Sequence, residues 1–188
     1  MKAALSQIEE ILRAKAPVTH KSLRPAARPE VFDALRSRVD IPADVAALWE
    51  WHDGTAAVGA LEVVPQFVFL DVGSAIRYWN LWREAKVNFP HGPWRPDWII
   101  IGVNGTGGVL VCDHDENVFL ATPEAGEFVH HLATSFDEVV QRLLAALQDG
   151  ALFDGFTAAY DDGELRWLLP HMGSAGAYDL RYCYSDHL

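Results

Sequence analysis

Asp113, Asp115 and Asn117, with Glu124 eleven positions beyond Asp113, space their oxygens as the ligands of a calcium loop are spaced. Calcium needs several oxygens converging on one point, and an EF-hand needs glycine at its sixth position for the sharp turn. Val118 stands there and the flanks read as strands, so the series reads as a polar hairpin turn. Gly102, Gly105, Gly107 and Gly108 follow an apolar strand, as phosphate-cradling loops do. Such loops lead into a helix N-terminus and often carry a lysine. Here the next segment is the strand-like VLVCD with no lysine nearby, which fits a tight or bulged hairpin. The eight histidines show no HExxH, HxH or cysteine-paired spacing. His130 and His131 are neighbours on a strand, so one is expected to point inward and the other outward, which does not favour chelation. Ser174 lacks the GxSxG setting of a nucleophile elbow, and Cys112 lies inside an apolar strand as a packed thiol does. No catalytic residue, metal or cofactor is expected. His52, Asp53, Asp113 and His114 remain as the polar side chains from which a hydrolytic site for a small substrate would have to be drawn.

Binding chemistry is better represented. Of seven tryptophans, most are expected in the core; Trp94, in a His-Gly-Pro loop, and Trp167, beside an acidic hairpin, are the better candidates for exposure. An exposed tryptophan on a rigid turn buries a large area at small entropic cost and so anchors interfaces. Asp149, Asp154, Asp161, Asp162 and Glu164 fall in sixteen positions without a lysine or arginine. With Tyr160 and Trp167 they could make an aromatic patch with an acidic rim; a solvated acidic surface is the plainer reading.

The elements that must position these residues follow from periodicity. Leu5, Ile8, Ile11 and Leu12 make one apolar stripe of a helix over residues 2–16, stopped by Pro17. Residues 17–29 read as a connector, Pro29 opens a short helix, and a further helix follows Ile41, with Pro42 in its first turn, and ends at His52-Asp53-Gly54. Residues 66–70 read as a strand and Gly73-Ser74 as the start of a helix. Residues 88–96 read as a loop, and strands are expected at 98–103, 109–113, 117–121 and 127–132, joined by short turns as an antiparallel meander. Ser135 with Glu138 three residues on is a capping-box pattern, and Gly150 ends the helix that follows. Asp162-Gly163 reads as a turn between two arms. The class is α+β in a single domain: residues 1–39 a basic helical extension, 40–150 the core, and 151–188 an aromatic and acidic extension packed on it.

Charge is uneven. Residues 1–38 carry +4 and residues 39–188 carry −15, giving the net −11. A field of that sign repels nucleic acid and anionic membrane, and steers basic proteins to the surface. Glu9, Glu10 and Arg13 interrupt the stretch a signal peptide would need, and Cys112 and Cys183 do not make a disulfide framework, so a cytoplasmic protein with reduced thiols is expected.

Three segments in order, VAALWEWHDGT from Val45, WRPDWIIIGVNGTGGVLVCD from Trp94 and SFDEVVQRLLAALQDG from Ser135, resemble the SUKH superfamily of fungal cell-wall assembly regulators and bacterial immunity proteins. The resemblance covers residues 40–150. It implies that Trp51, Gly54, Trp98, Gly102 and Asp113 are determinants of the fold, and it carries over no catalytic role. In one departure, Glu116-Asn117 replaces the glycine that often precedes the next strand. The resemblance implies a non-enzymatic binding protein of the immunity type, whose partner is a basic toxin, a nuclease among the candidates. A regulatory scaffold for cell-wall assembly is the alternative, and a hydrolase with an unrecognised polar site comes third.

Overall fold

The computed structural model describes residues 1–56, 58–88, 94–121 and 129–169. Helices α1 (Lys2–Lys15), α2 (Pro17–Ser22), α3 (Pro29–Arg36) and α4 (Ala43–Trp51) lead into strands β1 (Glu62–Val64) and β2 (Phe67–Phe69) and helix α5 (Val72–Asn88). Strands β3 (Ile99–Val103), β4 (Val109–Cys112), β5 (Val118–Ala121) and β6 (Val129–Ala133) precede helix α6 (Phe136–Asp149), and β7 (Thr157–Asp161) and β8 (Glu164–Leu168) close the described chain. The class is α+β: β1 to β6 form one antiparallel sheet in chain order, with helices before and after, and β7 and β8 form a separate two-stranded ribbon. No helix among the described residues is long and apolar enough to cross a membrane.

The sheet is covered on both faces, which is why β3 and β4 are buried at every residue. On one face Leu5, Ile8 and Leu12 of α1, Val45 and Leu48 of α4, and Val139, Val140 and Leu143 of α6 pack against Ile99, Ile101, Leu110 and Cys112. On the other, Trp79 and Trp82 of α5 join Trp94 and Trp98 over Ile100, Val109 and Val111. Ile101 and Val103 share parity yet fall in different clusters, because the β3–β4 register slips between Ile100 and Gly102. This bulge aims two successive residues, Ile101 and Gly102, at the same face. Glycine suits the second position, since a Cβ there would lie 3.1 Å from the Val68 carbonyl oxygen and 3.4 Å from the Leu110 side chain.

Several expectations need correction. Pro17 does not lead into a connector: it stands at the start of α2, where its missing N–H costs nothing. Pro42 sits one place outside α4, as its N-cap. The strand β1 went unread because it is only three residues long and ends against Pro65. It turns into β2 through Pro65-Gln66, with Gln66 at φ 73°. Helix α5 starts at Val72, capped by Asp71, whose Oδ1 accepts the Ser74 amide at 2.8 Å. The α6 reading holds: Ser135 Oγ accepts the Glu138 amide at 3.1 Å, and Gly150 ends the helix at φ 68°. The turn expected between the strands at 117–121 and 127–132, and the tail beyond residue 169, with Glu124, Ser174 and Cys183, lie outside the described residues.

Candidate functional site

The β7–β8 ribbon carries most of the residues singled out for partner binding, and strand alternation divides them. Ala158 pairs with Trp167 and Tyr160 with Leu165, and these four side chains pack against the main core. Asp161 pairs with Glu164 and Ala159 with Arg166, on the opposite face. The aromatic and acidic residues are therefore not one patch. The Tyr160 hydroxyl donates to the Leu147 carbonyl at 2.9 Å, burial pushes its pKa up, and Lys15 lies over its ring. Trp167 is half-buried against Phe153, with ring centroids 5.9 Å apart, rather than exposed. Nor is the acidic face free of cations: Arg166 lies 2.7 Å from Asp161 and 3.7 Å from Glu164.

Two tight turns bound the ribbon. Asp162 and Gly163 take φ 50° and 79° at its tip; Asp154 and Gly155 take φ 49° and 83° between the bridged Phe153 and Phe156 at its base. Positive φ at both central residues is the hairpin geometry that Asp-Gly favours. The tip rests on α2, where the Gly163 carbonyl accepts the Val18 amide at 2.8 Å. Five residue pairs of strand separate the turns, roughly 16 Å at the usual rise per residue, so Asp154 and Asp162 do not converge. Both are exposed, as are Asp149 and Asp161.

Trp94 is only 4 % exposed and is not a surface anchor. Its ring lies 6.1 Å from each of Trp79, Trp82 and Trp98, because the second sheet face needs an apolar cover and the residues before β3 help to supply it. Trp98, 1 % exposed, stacks on Phe119. The indole nitrogens of Trp79 and Trp98 are buried with no hydrogen-bond partner among the described residues, and both rings meet Trp94 nearly edge-on.

A polar cluster gathers at the β4–β5 turn. Asp113, 2 % exposed, accepts the amides of Asp115 and Asn117 on Oδ1 at 3.0 and 2.9 Å, while the Glu116 amide donates to its carbonyl at 3.1 Å. These bonds hold Glu116 at φ 70°, a left-handed conformation that glycine adopts more readily. The carboxylate is thus taken up in shaping the turn. His114 Nδ1 lies 3.0 Å from Asp97 and its Nε2 lies 3.3 Å from Asp115, and Arg95 grips Asp97 with both Nε and Nη2. Asp97 chiefly, then Asp115, raises the His114 pKa. Burial pushes Asp97 up, but His114 and Arg95 outweigh it and hold the carboxyl below its ordinary value. Beside them runs an open groove of about 460 Å³ lined by Arg36, Arg38, Asp40, Pro96, Asp97 and His114. Its arginines are committed locally, Arg38 to the Ala34 carbonyl at the end of α3 and Arg36 to Asp33. That leaves a balanced polar groove rather than an anion site.

The second polar cluster lies where α4 ends. Trp51 Nε1 donates to Glu9 Oε2 at 3.1 Å, and His20 and His52 approach the same carboxylate at 3.5 and 3.8 Å. Burial raises the Glu9 pKa, and the bonds from Trp51 and His20 with the charges of His52 and Arg13 more than offset it, leaving it lowered. His52 Nδ1 lies 2.6 Å from the Arg24 carbonyl, so it carries the proton there. Asp53 Oδ1 accepts the Val72 amide at 2.8 Å, and burial raises its pKa. Gly54, at φ 72°, lets the chain pass so close to Asp71 that a Cβ would sit 2.2 Å from its amide nitrogen.

His52 and Asp53 therefore belong to one hydrogen-bonded region and Asp113 and His114 to another, with no bonding partner in common among the described residues. Asp115 and Asn117 are likewise spent on the turn, Asn117 donating to Asp113 from both its backbone and its side chain. The glycine loop turns its amides inward: Asn104 Oδ1 accepts from Thr106 and Gly108 at 3.1 and 2.6 Å. Cys112 is buried, and burial with the charges of Asp113 and Glu116 pushes its thiol pKa up, away from nucleophilic reactivity. His130 and His131 do split across the two sheet faces, yet both are exposed, because β6 is the edge strand. Sequence reading missed Glu9, Asp71, Asp97 and Arg95. Asp71 was findable as an acid just before a helix; Glu9 and Asp97 act through contacts distant in sequence, and Arg95 acts through Asp97. Neither a family model nor a curated protein matches this chain.

Proposed function

We propose that this protein is a non-enzymatic binding module of the SUKH immunity type, which neutralises a basic toxin by covering its active surface. The observation that carries the reading is electrostatic. The chain from residue 39 onward holds −15, and exposed carboxylates stand on rigid turns at Asp154 and Asp162 and at the end of α6 at Asp149. Fixed charges of one sign attract a basic partner over a Debye length of roughly 10 Å at 0.1 M salt. They raise association rates well above the ~10⁵–10⁶ M⁻¹s⁻¹ of uncharged pairs. Shape then governs release, through apolar contacts at the centre of the interface. The polar residues available for catalysis are engaged in holding the fold, Asp53 by the Val72 amide, Asp113 by its own turn and His114 by Asp97, which supports recognition over turnover.

Affinity capture from the native host, repeated at rising salt, tests this. Recovery of one basic protein at low salt, with yield falling steeply as salt rises, is the expected result. Recovery of no basic protein at low salt would refute the reading.

A further inference from the structure

We infer that the partner docks at the base of the β7–β8 ribbon, where an exposed apolar patch stands beside two carboxylates; this rests on the binding reading above. Leu152 is 64 % exposed, Leu168 36 % and Leu169 42 %. The contact between the Phe153 and Trp167 rings brings the two chain segments together, and Thr157 pairs with Leu168 across the ribbon. The remaining large apolar residues exposed among the described positions, Val58, Leu81 and Val129, are scattered over other elements. Scattered apolar residues are ordinary on a protein surface, whereas neighbouring ones mark contact sites.

The surroundings specify the occupant. Residues 148–158 and 167–169 contain no lysine or arginine, and within them Asp149 and Asp154 are exposed. At the tip, by contrast, Arg166 pairs with Asp161 and Glu164, and Gly163 is bonded to α2. The base thus presents apolar surface with exposed carboxylates at its rim, which is the arrangement a basic protein with an apolar centre would complement. Asp154 is held by its hairpin turn and the segment by the buried Phe153, so the surface is ordered before the partner arrives.

A photo-crosslinking amino acid placed at Leu152 or at Leu168, and separately at Leu81 on α5, tests the assignment in cells of the native host, with adducts identified by mass spectrometry. A basic protein joined to positions 152 and 168 but not 81 is expected, with adduct yield falling roughly fivefold in the double variant Asp149→Asn, Asp154→Asn, because rim charges act on encounter. Circular dichroism of each variant establishes that it folds. Adducts to a basic protein from position 81 alone would overturn the docking face and leave the binding reading standing. Crosslinks confined to this chain itself, or a partner whose yield the two Asn substitutions leave unchanged, would overturn the assignment. No adduct from any position would count against both.

Discussion

At the scale of single residues, His114 is a side chain whose charge state is set by its neighbours. It sits between Asp97 and Asp115, and Asp97 is clamped from behind by Arg95. With its pKa raised from 6.5, the imidazolium's contribution is whole below pH 6.5 and fades as the pH climbs through the raised value. With its pKa lowered from 3.8, the Asp97 carboxylate contributes fully above that pH and fades as the pH falls through the lowered value. Both partners are therefore charged across the mildly acidic range. An NMR titration of the His114 ring is expected to give a midpoint above 6.5, and Asp97→Asn is expected to bring it down; a midpoint unmoved by that substitution would show that Asp97 is not the cause. Tyr160 teaches a different lesson at this scale. Composition alone placed it in a binding patch, but its hydroxyl satisfies a carbonyl near the end of α6, which is structural work.

At the scale of elements, the joint between α4 and α5 depends on Gly54. Its positive φ and its closeness to the Asp71 backbone leave no room for a side chain, and backbone atoms cannot step aside as a flexible side chain can. Gly54→Ala is expected to cost roughly 4 kcal/mol, at the severe end for one substitution, measured by denaturant unfolding; a loss under about 1 kcal/mol would mean that the joint relaxes. This joint also marks the boundary of what the sequence could reveal. Long periodic helices such as α1 and α6, and strands bounded by glycine turns, declare themselves through local pattern. Strand β1 is too short for a period to register, and α2 was hidden by reading Pro17 only as a stop. The two-faced nature of the ribbon was implicit in the alternation of Tyr160, Asp161, Glu164 and Trp167, but composition had grouped them. The inward turn of Trp94 could not be read locally, since it answers a need of the sheet face it covers.

At the scale of the whole molecule, the basic N-terminal segment packs on the acidic body of the same chain. Helix α1 lies against α6, α4 and β8, Lys2 pairs with Glu50, and Arg24 pairs with Asp71. Both ion pairs are surface-exposed on at least one side, and such pairs contribute little each. What fastens the helix is its buried stripe, Leu5, Ile8 and Leu12, which belongs to the same continuous cluster as Val139 and Leu143 of α6 and Phe153 before the ribbon. A helix held by charge would fray alone at high salt; one that supplies part of a shared core can leave only when that core opens. Leu12→Ala is therefore expected to cost about 2–5 kcal/mol and to lower the stability of the entire domain. Helical circular dichroism and the fluorescence of the tryptophan cluster on the far face of the sheet should then shift together to one lower midpoint. Separate transitions, with helicity lost first and the tryptophan signal unmoved, would show that α1 is an appendage and that the apolar stripe does not join it to the rest.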